Sequence, residues 1–389
     1  MRSACKASVA VAFAVVGCSS PTNGPGAVFT LEIASGVGSG HVAGPDGVDC
    51  SLHDGLASGA CIVELPGGTV ASLVATPVGD HAFANWTEGG SVASATPSTS
   101  FSLASDRALV VNFHSVTDRP DDASGALVHV MYVLPADGTD AYLDVDGTLE
   151  RSTASLEAWL TGQAGLGVRF DRFSGELDTS FARLSQTDSQ MRAYGPLLVV
   201  HIELELLAAG RIDPDKRYLV YYDGGSTYSC GGAAWPPNVP GQIAALYLRG
   251  TPPGTSCTQP FVSTSTGFPR YWEFAALHDL LHTLGIVATD APNHTAAYPA
   301  HVPEPNDLMY SGPDPWILSG ATTIDVGRDD YFNVGVASTL PTLERSPFLF
   351  PAGTVATLVE GEGTASPPTR LGSRRAPPPH PPLLGEPPR

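Results

Sequence analysis

The chain has 389 residues and a formal net charge of −19, with 20 lysines and arginines against 39 aspartates and glutamates. This length is enough for two domains, and the shortage of basic residues argues against nucleic acid as a partner, because binding phosphates requires clustered positive charge. The 42 glycines and 35 prolines predict short strands, many turns and at least one unstructured stretch.

The first segment has the pattern of an export signal. Two basic residues precede an apolar run, which is too short to span a bilayer as a mature helix. The residues Val15-Val16-Gly17-Cys18 resemble a bacterial lipobox. We therefore predict a signal peptide over residues 1–17, lipid attachment at Cys18 and a tether over residues 18–26, with a plain secretory signal as the alternative. The predicted location is the cell envelope, at the outer membrane or cell surface, where the N-terminal lipid contacts the membrane.

Residues 27–116 are predicted to form an all-β module. Short runs such as Val28–Ile33 and Ala108–Phe113 alternate apolar and polar side chains, and turn residues separate them. The segments GSGHVAGPDGVDC, GGTVASLVATPV, FANW and DRALVVNF together resemble the divergent internalin B-repeat of bacterial surface proteins. The resemblance implies a spacer or adhesive unit without chemistry of its own.

Four cysteines remain after those of the export segment are set aside. In an oxidising compartment the simplest of the three connectivities pairs neighbours along the chain, Cys50 with Cys61 and Cys230 with Cys257. A zinc site built from cysteines is not expected, because no two cysteines have the CxxC spacing.

The polar stretch TDRPDDASG, residues 117–125, marks the predicted domain boundary. Strand and helix patterns then take turns, which predicts a mixed α/β domain over residues 124–350. The predicted strands are Leu127–Leu134, VRFDRF, YLVYYD and IAALYLRG, and the predicted helices are Thr153–Gln163, Leu198–Ala209 and Trp272–Leu284. A proline-rich tail over residues 352–389 cannot bury enough apolar surface to fold alone.

Two histidines four residues apart lie on the same face of a helix and can reach one metal ion. His278 and His282 meet this condition in WEFAALHDLLHTLG, whose apolar residues have helical spacing and which stops at Gly285. Two histidines and an acid on such an apolar helix would be costly to bury without partners. The segment therefore predicts a helix that binds a metal ion.

HDLLHTLG followed by AHVPEPNDLMYSG resembles the metzincin zinc metallopeptidases. The resemblance implies Zn²⁺ as cofactor, a peptide or protein as substrate and a zincin-like fold. It also implies His301 as the third ligand, because His301 precedes Met309 by eight residues, as in the matrixin branch of that family. The family's usual position for this ligand is Ala288 here, so His294 and Asp290 stay open as alternatives.

The same resemblance implies roles for the neighbouring residues. Asp279 stands where the family has a glutamate that takes a proton from the attacking water. Its side chain is one methylene shorter, and a misplacement of about 1 Å can lower a rate on the order of a hundredfold. Met309 is implied to pack beneath the site, and Tyr310 is a candidate for stabilising an oxyanion, with a packing role as the alternative. The run IAALYLRG is implied to be the edge strand that pairs with a substrate, with a core strand as the alternative.

The sequence thus predicts an all-β repeat module followed by an α/β (α+β) domain of the zincin or metzincin type. Two functions follow from it. The first is an exported, lipid-anchored zinc endopeptidase that hydrolyses peptide bonds with a metal-activated water. The second is a surface binding or adhesion lipoprotein that keeps the zincin fold and has lost activity through Asp279.

Overall fold

The computed structural model describes residues 26–253, 256–335 and 337–352. The predicted signal peptide, Cys18, nearly all of the tether and the tail after Ala352 lie outside the described residues. Within the described part of the chain, no helix is long and apolar enough to cross a membrane.

Ten strands form between Val28 and Ser115, where apolar and polar side chains alternate. They are β1 (Val28–Ser35), β2 (Ser39–Ala43), β3 (Asp49–His53), β4 (Leu56–Ala60), β5 (Ile62–Pro66), β6 (Val70–Pro77), β7 (His81–Glu88), β8 (Ser91–Ser94), β9 (Ser98–Ser102) and β10 (Arg107–Ser115). One five-stranded sheet has the order β5-β1-β10-β7-β8, and the other has the order β4-β3-β2-β6-β9.

The inward-facing side chains of these two sheets form one core. Leu31, Leu73, Trp86 and Val111 are all fully buried in it, and every second residue along these strands points inward because the side chains of a strand alternate between its two faces. The disulfide Cys50–Cys61 closes the β3–β4 hairpin. This arrangement is all-β, whereas membership in a bacterial repeat family stays a prediction.

The rest of the chain is an α/β arrangement. Its elements are β11 (Val128–Leu134), α1 (Thr148–Ala164), β12 (Leu166–Val168), β13 (Arg172–Phe173), β14 (Glu176–Leu177), β15 (Thr179–Arg183), α2 (Asp188–Arg192), α3 (Leu198–Ala208), β16 (Arg217–Tyr222), β17 (Gly231–Trp235), β18 (Val239–Tyr247), α4 (Tyr271–Thr283) and β19 (Leu349–Pro351). The central sheet has the order β15-β11-β16-β18-β17. The first four of these strands are parallel and β17 is antiparallel.

Helices cover both faces of the central sheet. Leu198, Ile202 and Leu206 of α3 pack on one face. Helices α1 and α4 pack on the other, through residues such as Leu156 and Leu277. The strands between these layers are apolar on both sides, as expected for buried parallel strands.

The prediction that residues 243–250 form the sheet edge is wrong. Strand β18 lies between β16 and β17, and its residues Ile243–Tyr247 are buried. A continuous apolar run is typical of a strand that is covered on both faces and paired on both sides. The edge is formed by β17, whose sequence GGAAW has little strand propensity of its own.

Helix α4 has a defined start and end. The fully buried carboxylate of Glu273 accepts a hydrogen bond of 2.9 Å from the backbone N–H of Arg270, which satisfies a free donor of the first turn. The helix stops before Gly285, whose φ of 77° lies in the left-handed region that favours glycine. The chain that follows returns to the helix at Leu308, whose carbonyl accepts a hydrogen bond from His278.

Candidate metal centre

Three histidine side chains converge on one point beside α4. His278 and His282 project from successive turns of α4, and His301 approaches from the chain that follows. Their Nε2 atoms form a triangle with edges of 3.0, 3.1 and 3.2 Å. Three ligands held at zinc–nitrogen distances of about 2.0–2.1 Å in a tetrahedral arrangement would lie roughly 3.3 Å apart. The triangle therefore fits one metal ion.

The hydrogen bonds that two of these rings make through Nδ1 support a metal ion at this point. Nδ1 of His278 donates to the carbonyl of Leu308 at 2.7 Å, and Nδ1 of His301 donates to the carbonyl of Pro299 at 2.7 Å. A carbonyl only accepts, so Nδ1 carries the proton and Nε2 of each neutral ring is an acceptor. Two acceptor nitrogens cannot form a hydrogen bond with each other. A metal cation bound between the Nε2 atoms would satisfy them. Nδ1 of His282 is buried without a hydrogen-bond partner.

The surroundings keep the three imidazoles neutral, which is the form that binds metals. Burial, together with the neighbouring His301, lowers the pKa of His278 to about 3. Burial and the two other rings hold the pKa of His282 well below its ordinary value. Burial also lowers the pKa of His301.

The carboxyl group of Asp279 lies at the wall of the same cleft. It faces strand β17, where a Cβ on Gly231 would stand 2.1 Å from its Oδ2. Glycine at this position therefore leaves room for the acid. Burial raises the pKa of Asp279 to about 8.

A tight turn brings His301 to the centre. The N–H of Val302 donates to the carbonyl of Met309 at 3.1 Å, so the seven residues between His301 and Met309 fold back on themselves. Met309 is fully buried and belongs to the same core as Leu277 and Leu281 of α4. The turn also places the Leu308 carbonyl against His278.

A buried carboxylate holds this turn in place. Asp307 accepts hydrogen bonds from the N–H of Met309 at 2.7 Å, the N–H of Val326 at 2.7 Å and the hydroxyl of Tyr331 at 2.6 Å. Burial raises the pKa of Asp307 to about 6. Sequence reasoning missed this residue.

The other predicted site residues have different surroundings. Nε2 of His294 takes no part in the triangle, and its ring stacks on Trp235 with the centroids 6.0 Å apart. Asp290 is exposed and belongs to none of the potential ligand groups among the described residues. The hydroxyl of Tyr310 donates to the carbonyl of Asp314 at 2.9 Å, which favours the packing role. The pairing Cys230–Cys257 is present as a disulfide.

Two further groups of acids come close together in the described residues, and sequence reasoning missed both. One contains Asp118, His129, Asp171 and Asp178, and Nζ of Lys216 already binds its carboxylates. The other contains Asp325, Asp329 and Asp330, where Asp325 accepts backbone N–H groups of its own loop. Both groups have a structural explanation without a metal ion.

A cleft of about 760 Å³ opens over the three histidines. Its walls come from β17, from the start of α3 and from residues 297–301. Among the described lining residues, Asp279 is the only acid and none is a lysine or an arginine. Aromatic rings are frequent there, at Tyr228, Trp235, Tyr271 and Trp316.

No family model matches the chain, and no curated protein matches it. Among solved structures, the chain is similar to the crystal structure of archaemetzincin from Methanopyrus kandleri, with 15% sequence identity and a TM-score of 0.27. The similarity covers 47% of this chain and 81% of that chain. The case for a metal ion rests on the geometry of the three histidines.

Proposed function

We propose that the α/β part of this protein is a zinc-dependent peptidase, with His278, His282 and His301 as metal ligands and Asp279 as general base. The observation that carries the proposal is the triangle of three Nε2 atoms 3.0–3.2 Å apart. Three neutral imidazoles leave a fourth position open, which is typical of catalytic zinc sites and not of closed structural ones.

Each residue of the proposed site has a separate role. A bound zinc ion would supply Lewis-acid chemistry, polarising the substrate carbonyl and activating a water. Leu308 and Pro299 orient two of the ligand rings through their carbonyls. Asp279 would accept the proton of the attacking water at its carboxylate and deliver it to the leaving amine.

The walls of the cleft favour uncharged substrates. Leu197, Tyr228 and Tyr298 expose 54%, 63% and 39% of their surface at the cleft, and exposed apolar groups gathered in one place are typical of binding surfaces. We propose that the residues flanking the cleaved bond are apolar or aromatic.

Zinc analysis and peptide cleavage test this function together. The purified wild-type protein should contain one zinc ion per chain and should cleave a peptide library between apolar residues. Asp279→Ala should keep the metal and lose at least about a hundredfold in kcat. A protein without zinc would refute the proposed centre. Cleavage that survives Asp279→Ala unchanged would refute the assigned base.

A binding protein with a zincin-type site is the second candidate. The presence of Asp279 in place of the longer glutamate favours it, because a carboxylate misplaced by about 1 Å from the attacking water can lower a rate on the order of a hundredfold. Zinc without cleavage in wild type and in Asp279→Glu would support this candidate over the peptidase.

We also propose that the protein is exported and anchored by a lipid at Cys18. The basic and apolar pattern before Cys18 supports the proposal, and two disulfides fit an oxidising compartment. Cells fed a labelled fatty acid should label the wild type and not Cys18→Ala. Equal labelling of both would refute the anchor.

A further inference from the structure

A strained loop carries the third histidine of the candidate metal centre. Residues 288–300 separate the end of α4 from His301, and residues 297–301 line the cleft. Val287 and Ala300, at the two ends of this loop, are buried and have φ angles of 56° and 69°. The left-handed region is unfavourable for residues other than glycine, and most of all for a β-branched one. Such strain persists only where the surrounding contacts maintain it.

The backbone at Ala300 determines how the His301 ring is held. Nδ1 of His301 donates to the carbonyl of Pro299, two residues earlier, at 2.7 Å. Only Ala300 lies between these two residues, so its backbone angles decide whether this hydrogen bond can form. The N–H of Thr295 also donates to the carbonyl of His301 at 3.1 Å. A change in the loop would therefore move the Nε2 atom of His301 relative to α4.

One buried carboxylate holds the loop in place. Asp330 is only 1% exposed. It accepts the backbone N–H of Asn293 at 2.7 Å and the side-chain amide of Asn293 at 2.9 Å. Hydrogen bonds to an ionised acceptor are stronger than those between neutral groups, and two of them to one residue fix its position and its orientation. We call this pair of hydrogen bonds the Asn293–Asp330 clamp.

The segment that supplies the clamp also supports the other turn at this centre. The backbone N–H groups of Asp330 and Tyr331 donate to Asp325 at 3.1 and 2.7 Å. The hydroxyl of Tyr331 donates at 2.6 Å to Asp307, the buried carboxylate of the other turn. Residues 325–331 therefore contact both of the loops that meet at the candidate metal centre.

We propose that Asn293 and Asp330 are positioning residues for the third metal ligand. The strain at Ala300 favours release of the loop, and the clamp opposes that release, so that His301 stays within reach of the two histidines of α4. This inference rests on the proposed metal centre, and it assigns a role to residues that do not themselves belong to the triangle of histidines.

Zinc affinity, measured by competition with a chelator, tests the clamp. Asn293→Ala should weaken zinc binding about tenfold, as expected for the loss of a residue that orients a metal ligand. Asn306→Ala is the matched control, because it removes the same amide from the turn that follows His301, where this side chain has no hydrogen-bond partner among the described residues. The control should change nothing. Equal zinc affinity in wild type and folded Asn293→Ala would refute the clamp.

The same substitution in a His301→Ala protein separates positioning from a general structural role. If the clamp acts through His301, Asn293→Ala should cause no further loss of zinc affinity once the third ligand has been removed. A tenfold loss that persists in this background would overturn the proposal. Wild-type protein without zinc would refute the metal centre itself, whereas wild type with zinc and an unaffected Asn293→Ala would refute only the clamp.

Ala300→Gly tests the contribution of strain. Glycine adopts a φ of 69° without a steric cost but leaves a released loop more freedom. Added to Asn293→Ala, it should therefore recover part of the lost zinc affinity, roughly threefold. An equal or lower zinc affinity in the double variant would overturn the proposal that the clamp works against strain at this position.

Discussion

At the candidate metal centre, two histidines of one loop have very different surroundings. His301 presents Nε2 to both histidines of α4 at 3.1 and 3.2 Å, whereas His294 stacks on Trp235. Removing a residue that hydrogen-bonds to a metal ligand typically lowers metal affinity roughly 10–100-fold. We expect His301→Ala, which removes a ligand itself, to lower zinc affinity by more than this. His294→Ala should leave the affinity unchanged. Competition with a zinc chelator measures both, and equal losses in the two variants would contradict the assignment.

Asp307 positions His278 through the intervening backbone. Its carboxylate binds the N–H of Met309, next to the Leu308 carbonyl that orients the His278 ring. Asp307→Asn would point an amide N–H₂ at one of its present donors. We expect zinc affinity to fall about tenfold and the thermal midpoint to fall as well. Asp314→Asn, an exposed acid of the same loop, is the control. A zinc affinity equal to wild type in a folded Asp307→Asn would contradict this role.

The three histidines could be predicted from the sequence because the spacings that identify them span only a few residues. The spacing of His278 and His282 follows from helix geometry alone, and His301 was suggested by its distance from Met309. Asp307 could not be recognised in this way. Its partners Val326 and Tyr331 are 19 and 24 residues away, in a segment without regular structure that defines no spacing.

Two glycines allow a matched test of the helices. Gly285 ends α4 with φ of 77°, and an added Cβ would stand 3.0 Å from the carbonyl of Pro236. Gly162 lies exposed inside α1 with open space around it. Gly285→Ala should destabilise the protein by at least about 1 kcal/mol, and Gly162→Ala should stabilise it by about 0.5–1 kcal/mol. Urea unfolding measures both changes, and changes of the same sign would contradict this account of the helix ends.

The elements were predictable where their apolar pattern is strong. Helix α4 begins and ends within one residue of its predicted bounds, because its apolar face and Gly285 mark it clearly. Helix α1 begins at Thr148, five residues before the predicted start. The sequence carries no signal for the true start, because Gly147 at the N-cap has no side chain that could cap the helix. Strand β17 was not predicted. Its two glycines weaken the strand pattern, and pairing with β18 determines its conformation.

At the scale of the whole molecule, one ion-pair cluster links the two-sheet region to the α/β part. His114 near the end of β10 is 1% exposed. Its Nδ1 lies 2.7 Å from Asp144, and its Nε2 lies 2.9 Å from Asp140. The ring also stacks on Phe181 of β15 with the centroids 4.0 Å apart. No sequence pattern predicted this contact, because its partners lie 26 and 30 residues from His114 in a connecting segment.

The charge on His114 makes the stability of this contact depend on pH. Burial alone would lower the pKa of His114, but hydrogen bonds and charge attraction from Asp140 and Asp144 outweigh burial and raise it to about 9. An unfolded histidine titrates near pH 6.5, so the folded state binds the proton more tightly. The stabilisation, on the order of 3 kcal/mol, is therefore complete below about pH 6.5 and is lost as the pH rises through about 9.

Urea unfolding of wild type and His114→Gln between pH 6 and pH 10 checks this dependence. The stability difference between the two proteins should be largest at pH 6 and should shrink through pH 9, where the wild-type ring loses its proton between the two carboxylates. A difference that stays constant from pH 6 to pH 10 would mean that His114 contributes packing against Phe181 and no charge.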